Sequence, residues 1–502
     1  MKRILLASLL VLVLGLSVMP GVTGATSDEV NTYIVAFHED QDPEAAAHGL
    51  QRQYGVELGG IFRYALKGAV IHATAGQVTA IEKDSRVRLV EPNQVYSINE
   101  EQTVPTGIER VFADGNSNLS INGDDNYRVD ADVAVIDTGI DFDHPDLNLV
   151  MAVDCTWSGP RMGTCEGMRD DGHGHGTHVA GTIGALDNGY GVVGVAPGVR
   201  LWAVKVLTNY GTGTTAQVIA GIDWVADHAD QIEVANMSLG GTGESQLMDD
   251  AIESAVGAGV TFVLAAGNRG MDVENYHPAG QPDAITVSAL ADANGEPGGG
   301  GTFVCGYDNE VDDTLADFSN YGEGVDIAAP GVCIYSTYLD GRYVTMSGTS
   351  MAAPHVSGAA AVLASTGEYT PAEIKSTLVA EGNTGYTLEE DDPDGIQEPL
   401  LDLSNMTFFA PKMVSSESPI QITNALGYTD SGYQKTDLEW TGTSEEFGTD
   451  IYRDGAWVHQ VDAGTTAYTD ETGEKGSGMH FYWVCQTGSQ TICSNVVMVD
   501  TY

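Results

Sequence analysis

The chain has 502 residues, 42% of them hydrophobic, with 21 basic against 71 acidic side chains and a formal net charge of −50. That length allows about three folding units of ordinary size, and the apolar content excludes a chain disordered throughout. So acidic a surface repels phosphates, which argues against nucleic acid and anionic membrane as partners; it suits a salty medium, whether brine or cold seawater, and makes cation binding cheap.

Residues 1–25 read as a secretory signal: Lys2 and Arg3, an apolar run from Ile4 to Val18, then the small and polar Gly21 to Ala25. The run is too short for a comfortable membrane span, and the alternative is an uncleaved anchor. No later stretch is apolar for long enough to cross a bilayer, so the sequence predicts a soluble, secreted, extracellular protein. In that setting the six cysteines fall as sequence neighbours, Cys155 with Cys165, Cys305 with Cys333 and Cys485 with Cys493. Three local disulfides are the economical pairing of the fifteen possible, with free buried thiols as the alternative.

Residues 26–100 form a first block. Asn31–Phe37 and Gly68–Ala75 read as strands, Asp42–Gly55 and Ala75–Ser85 as helices, and Val87–Ile98 as a further strand, which predicts a small α+β domain. Residues 1–100 hold 8 basic and 11 acidic side chains, which leaves 13 and 60 for residues 101–502, where nearly all the acidity therefore lies. The polar, proline-containing Glu100–Gly107 reads as a linker.

From 101 to 408 apolar strand-like runs alternate with helical ones. The strands are Val133–Asp137, Trp202–Leu207, Glu233–Leu239, Val260–Asn268 and Ala284–Leu290. Helical spacing covers Thr177–Leu186, Thr215–Asp230 and Glu244–Gly259. Near-continuous apolar strands separated by helices predict an α/β fold with a doubly wound parallel sheet, in which sites gather where strands end and helices begin. Pro411 and the serine-rich Ser415–Pro419 read as a second linker. The remainder of 415–502 alternates apolar and polar residues, is rich in Tyr, Trp and Val, and is broken by glycine turns, the pattern of an all-β sandwich.

Four short motifs carry chemistry. VAVIDTGID puts Asp137 at the end of an apolar strand, HGHGTHVAGT puts His175 at a helix start, VLAAGN puts Asn268 at another strand end, and GTSMAAPHVSGAAAVL puts Ser350 at a glycine-flanked helix start. Singly, an Asp at a strand end or a Ser before a helix is a cap or turn residue. Together they supply a hydroxyl nucleophile, an imidazole base, a carboxylate to orient it and an amide donor for an oxyanion, the set that acyl transfer requires. The three histidines His173, His175 and His178 also suggest zinc, but a zinc hydrolase of the HExxH kind needs a glutamate that this stretch lacks.

DTGID, HGTHVAGT, NMSLGG, AAGN and GTSMAAPHVSGAA, in that order across 104–405, resemble the motifs of the subtilisin family of serine proteases. The resemblance implies that Ser350 attacks, His175 is general base and then acid, Asp137 orients the imidazole, and Asn268 donates to the oxyanion beside the Ser350 N–H. His178 is then a packed structural histidine, and His173 lies just outside the motif, separated from it by Gly174. Ser238, Leu239 and Gly240 with Ala265, Ala266 and Gly267 resemble the walls of the primary substrate pocket, and Gly211, Thr212 and Gly213 the edge that pairs with an extended peptide, which implies broad endopeptidase action on protein or peptide substrates.

The same resemblance implies structural calcium. Gln102, Asp146 and Asn188 with the carbonyls of Leu186, Tyr190 and Val192 resemble the family's tight site. Asp326 with the carbonyls of Pro282 and Ala284 resembles a second one. Oxygen donors of this kind suit a hard cation, and the carboxylate-rich Glu389–Gly395 is a further candidate. Residues 26–100 resemble the inhibitory propeptide of a zymogen, an intramolecular partner that the enzyme cuts off near Asn99 to Glu101. The C-terminal block resembles a fibronectin type III domain by pattern. A monomer is expected. The competing reading from another class is a secreted binding protein on an inactive protease scaffold.

Overall fold

The molecule is represented by a computed structural model, which describes residues 30–38, 40–93, 101–303, 305–306, 310–387, 394–416, 420–442, 448–454, 456–487, 494 and 497–501. The expected signal peptide, the cleavage region at 99–100, most of Glu389–Gly395 and Cys493 lie outside these residues. The chain divides into two compact units, 1–98 and 99–502.

In the first unit, β1 (Val30–Phe37), α1 (Pro43–Tyr54), β2 (Glu57–Phe62), β3 (Gly68–Thr74), α2 (Ala75–Ile81) and β4 (Val87–Pro92) build an antiparallel sheet of order β2-β3-β1-β4. Helix α1 starts where the Asp42 carboxylate accepts from the Ala45 N–H and stops at Gly55, whose φ of 70° no continuing helix adopts. Its Ala47 and Leu50 pack with Val35, Phe37 and Ile71. Strand β2 escapes the sequence pattern because it is a mostly exposed edge containing two glycines.

The second unit begins with α3 (Thr106–Arg110), β5 (Tyr127–Val129), β6 (Asp132–Asp137), β7 (Leu149–Asp154), α4 (His175–Gly184), β8 (Arg200–Lys205), α5 (Thr215–Asp227), β9 (Val234–Met237), α6 (Gln246–Gly257) and β10 (Thr261–Ala265). It continues through β11 (Ile285–Ala291), β12 (Thr314–Leu315), β13 (Ile327–Pro330), the hairpin β14 (Ile334–Tyr338) and β15 (Arg342–Met346), α7 (Thr349–Ala364) and α8 (Pro371–Glu381). Strands β7-β8-β6-β9-β10-β11-β13 are parallel neighbours throughout, with the short β12 antiparallel to β11.

Alternation along β6 shows why helices cover both faces. Val133 and Val135 pack into a core with α4 and α7, while Ala134 and Ile136 pack into another with α5 and α6. The sheet is therefore doubly wound. From β6 the chain runs first to β7 and β8 on one side and then to β9, β10 and β11 on the other. The carboxyl end of β6, occupied by Asp137, is thus the switch point where such sheets open a crevice.

The described residues of both expected linkers, 101–107 and 411–416, prove to be tied into the sheet domain. Thr103 N–H donates to the Gly191 carbonyl (2.8 Å) and residues 106–110 are helical, so this stretch is tied to the sheet domain. At the other end β16 (Met413–Ser415) pairs antiparallel with β5, Phe409 is buried, and the Asn116 amide donates to the Leu403 (3.1 Å) and Phe409 (2.8 Å) carbonyls. The domain thus runs past residue 408, because its last strand completes a sheet with an early one.

Strands β17 (Gln421–Asp430), β18 (Tyr433–Thr441), β19 (Thr449–Arg453), β20 (Ala456–Val461), β21 (Ala467–Lys475), β22 (Gly478–Gln486) and β23 (Val497–Thr501) form two sheets, β17-β18-β21 and β20-β19-β22-β23. Leu438, Trp440, Ile451, Tyr482 and Val484 fill the space between them. On the outer face of β22, Phe481 is buried and joins the apolar core shared by α4 and α7, and Trp483 packs against the core shared by α5 and α6. Disulfides join Cys155 to Cys165 and Cys305 to Cys333. Cys485 is also disulfide-bonded, with its expected partner outside the described residues.

Candidate active site

Asp137 is fully buried, and its Oδ1 accepts from its neighbour's N–H at Thr138 (2.7 Å) and from His175 Nδ1 (2.8 Å). His175 is delivered by the first turn of α4, which lacks a side-chain cap of the usual kind because Gly174 stands at the cap position with φ 94° and the Tyr338 ring against it. Asp171 does the capping from further back. Its carboxylate accepts from the N–H groups of His173 (2.9 Å), Gly174 (3.0 Å) and Thr177 (3.1 Å) and from the Thr177 hydroxyl (2.7 Å). The Thr138 hydroxyl accepts from Gly176 N–H (2.9 Å), so the helix start is stitched directly to the end of β6.

Burial alone would lower the basicity of His175, but the charge and hydrogen bond of Asp137 outweigh it and hold its pKa above the ordinary histidine value. His178 differs. It is fully buried, its Nε2 donates to the carbonyls of Ile334 (3.1 Å) and Val344 (3.2 Å), and burial depresses its pKa to about 3. Its hydrogen-bonding nitrogen is committed to the core, as a structural histidine requires, and the three histidines do not converge on one point.

Ser350 is the second residue of α7, a helix of small side chains buried under the sheet. Its hydroxyl donates to the Ser238 carbonyl (3.2 Å), while the Ser238 hydroxyl donates back to the Ser350 carbonyl (2.9 Å). The Ser350 Oγ thus rests in a rotamer directed at β9's end, in the same cleft as His175. Asn268 follows β10. Its Oδ1 accepts from the Thr349 N–H (2.8 Å) and hydroxyl (2.9 Å), which leaves the Nδ2 donor turned away from them. Gly348, at φ 153°, holds a backbone conformation that favours glycine, and a Cβ there would stand 3.1 Å from that Nδ2.

The cleft holds about 620 Å³. Of the nine residues expected to form its walls, Gly211, Thr212, Gly213, Ser238, Leu239, Gly240, Ala265 and Gly267 line it. Ala266 does not: strand alternation turns it into a small core with Val273 and Val325, and its carbonyl accepts from Asn320 Nδ2 (2.7 Å). Sequence reading missed Tyr276, whose ring stands between Gly240 and Gly267, and His277, whose Nε2 pairs with Asp249 (2.8 Å). Their signal was the aromatic and proline cluster in ENYHPAG. His173 also lines the cleft.

The residues of the expected tight calcium site lie in one loop cluster. Asp146, fully buried, accepts from Asn188 Nδ2 (2.8 Å), Val192 N–H (3.0 Å) and Tyr343 OH (3.1 Å), and its carbonyl accepts from Leu186 N–H (3.0 Å). Tyr190 N–H donates to Asn188 Oδ1 (2.9 Å), Gln102 Oε1 accepts from Gly189 N–H (2.8 Å), and Gln102 Nε2 donates to Asp187 (2.7 Å). Desolvation pushes Asp146 up to about 7, against the pull of its three donors. A buried carboxylate beside an amide that can rotate its oxygen inward offers oxygen donors that suit a hard cation.

The second expected calcium site is corrected by the structure. The Lys375 ammonium donates to the Pro282 (3.0 Å) and Ala284 (2.7 Å) carbonyls and pairs with Asp326 Oδ1 (2.9 Å). A side-chain cation already satisfies all three oxygens, so they do not form a calcium site.

A model of the Subtilase family matches residues 128–397. The chain is 38% identical over 343 residues to a thermostable alkaline protease of Halalkalibacterium halodurans, covering 68% of this chain and 83% of that one. It is 41% identical over 262 residues to subtilisin Savinase of Lederbergia lenta, covering 52% and 84%. Among solved structures it is similar to the S41 psychrophilic protease, with 33% identity, a TM-score of 0.50, and coverage of 60% of this chain and 99% of that one.

Proposed function

Since the chain belongs to the subtilase family of serine endopeptidases, we propose that it hydrolyses protein substrates through an acyl-enzyme on Ser350, with His175 as the base, Asp137 as its orienting carboxylate and Asn268 as oxyanion donor. The observation that carries this reading is the 2.8 Å bond to the fully buried Asp137 from His175, which lines one cleft with Ser350 and Asn268.

In the Michaelis complex the Ser350 hydroxyl swings from the Ser238 carbonyl to His175 Nε2, a rotation about one side-chain bond, and attacks the scissile carbonyl. His175 takes the proton, and Asp137 stabilises the imidazolium without becoming protonated itself. The oxyanion accepts from Asn268 Nδ2 and the Ser350 N–H. His175 then protonates the leaving amine, and water enters to reverse the sequence on the acyl ester. The peptide lies extended along Gly211–Gly213, with one side chain in the slot between Ser238–Gly240 and Ala265–Gly267.

The protein is made as a zymogen, secreted, and freed of residues 26–100 by its own cleavage. What supports this is the separate compact unit at 1–98, the signal-like first 25 residues, and a first block nearly neutral beside so acidic a remainder. Among the described residues no helix is long and apolar enough to cross a membrane. Asp146, Asn188, Gln102 and the carbonyls of Leu186, Tyr190 and Val192 would hold calcium, which would neutralise the buried Asp146 carboxylate and tie down the loop that follows α4. The enzyme acts as a monomer.

The deciding experiment is mass spectrometry of the secreted protein, wild type against Ser350→Ala, in calcium buffer. Loss of the N-terminal block near residue 100 in wild type only establishes Ser350 as nucleophile and the zymogen route. Identical cleavage of both assigns processing to another protease, and casein hydrolysis with a serine-directed covalent inhibitor then decides the catalytic assignment.

A further inference from the structure

Asn236 is a polar residue where the strand pattern calls for an apolar one. It stands on β9, which pairs with β6 on one side and β10 on the other, and it shares with Val234 the face that packs into the core of α7. On α7 the opposing polar residue is Ser357. Both are fully buried. An amide and a hydroxyl are tolerated at such places only when each finds hydrogen-bond partners.

The partners form a chain that ends at the nucleophile. Ser357 Oγ donates to Asn236 Oδ1 (2.9 Å), Asn236 Nδ2 donates to Ser238 Oγ (3.0 Å), and Ser238 Oγ donates to the Ser350 carbonyl (2.9 Å). Pro354 explains why that carbonyl needs a donor from outside its helix. It stands one turn beyond Ser350 in α7, where a backbone N–H would close the helical bond, and proline has none. The amide orientation is assigned from this chain. Its NH2 group can only donate, so the Ser238 proton turns to Ser350; the opposite orientation would draw that proton to the amide oxygen and take the donor from the carbonyl. Ser357 holds the orientation by donating to the amide oxygen, in preference to the Ala353 carbonyl of its own helix at 3.2 Å.

The two bonds between Ser238 and Ser350 have different fates in the reaction. When the Ser350 hydroxyl leaves the Ser238 carbonyl for His175, the Ser238 hydroxyl stays on the Ser350 carbonyl, so the backbone about which the nucleophile turns remains held. We propose that Asn236 and Ser357 are positioning residues for the nucleophile: they aim the Ser238 hydroxyl at the Ser350 carbonyl, and so keep the Ser350 Oγ and N–H where one attacks and the other serves the oxyanion. The proposal rests on the reading of Ser350 as nucleophile. Neither Asn236 nor Ser357 lines the cleft, so both act only through Ser238 and Ser350.

The test is a double-mutant cycle on the mature enzyme, with Ser357→Ala, Ser238→Ala and the two combined. Steady-state kinetics on one peptide substrate give kcat and KM, and a serine-directed covalent inhibitor counts the active sites, so that loss of folded protein is separated from loss of rate. Wild-type turnover that this inhibitor abolishes checks the reading of Ser350 by itself. In Ser357→Ala, kcat per active site is expected to fall about tenfold at unchanged KM, the size of one buried hydrogen bond. Ser357→Thr, which keeps the hydroxyl, restores it. Added to Ser238→Ala, Ser357→Ala lowers kcat little further, because the route is already cut. A wild-type kcat in Ser357→Ala overturns the proposal, and so do effects that multiply in the combined variant, as two unconnected structural losses would.

Discussion

Phe481 of the C-terminal sandwich meets Phe142 of the sheet domain edge to face, ring centroids 5.8 Å apart at 77°. Phe142 N–H in turn donates to Asp170 (3.1 Å), next to the Asp171 carboxylate that caps the helix of His175. The sandwich is therefore packed on the flank of the catalytic domain. Phe481→Ala is expected to cost about 3–5 kcal/mol, as for other buried phenylalanines, and to shorten the half-life of activity at elevated temperature. A half-life equal to wild type would show that the contact contributes nothing.

In the proposed mechanism Asn268→Ala removes a donor used only when charge develops on the oxyanion. The expected outcome is a fall of about 10²–10³ in kcat with KM nearly unchanged, a magnitude measured in subtilisin itself and not obtained from this structure. Steady-state kinetics on one peptide substrate check it. A rise in KM at constant kcat would mean that the amide binds the ground state instead.

The pH profile follows from the raised basicity of His175. Only the neutral imidazole can accept the Ser350 proton, so activity rises as His175 loses its own proton. A raised pKa delays that loss, which sets the acidic limb of kcat/KM above the ordinary histidine value of about 6.5. Asp137→Asn removes the charge that raises it. The limb should move to lower pH, and kcat should fall by about 10⁴, as in a serine protease of unrelated fold.

Calcium is expected to raise the melting temperature, with stabilisation of about 2.7 kcal/mol at a hundredfold excess over Kd. Asp146→Asn should abolish the calcium-dependent part of the shift. Differential scanning calorimetry of both proteins, in calcium and in chelator, gives the comparison. An equal shift in the variant would move the ion to another site.

Much of this was legible in the sequence because the relevant forces are local. The apolar runs at Val133–Asp137 and Val260–Asn268 announce buried parallel strands, and the glycines around His175 and Ser350 announce tight entries into helices. What escaped was set by distant partners. The polar hairpin Ile334–Tyr338 with Arg342–Met346 owes its place to α4, where Thr337 and Ser336 donate to the Thr177 (2.7 Å) and His178 (2.8 Å) carbonyls. The stretches at 100–107 and 411–419 have the composition of linkers, and only the pairing of β16 with β5 and of Thr103 with Gly191 reveals otherwise for their described parts, 101–107 and 411–416. Nor could any motif around Pro282 foretell Lys375, which arrives from α8 more than ninety residues later.

That lysine has a consequence for how the protein tolerates its surroundings. A bound metal is a tenant whose occupancy falls when the solution is diluted or a competitor arrives. An ammonium tethered to α8 is supplied by the chain itself, at a local concentration the solvent does not set. The corner where Asp326 meets the Pro282 and Ala284 carbonyls is thus furnished once, at synthesis, and no chelator can empty it.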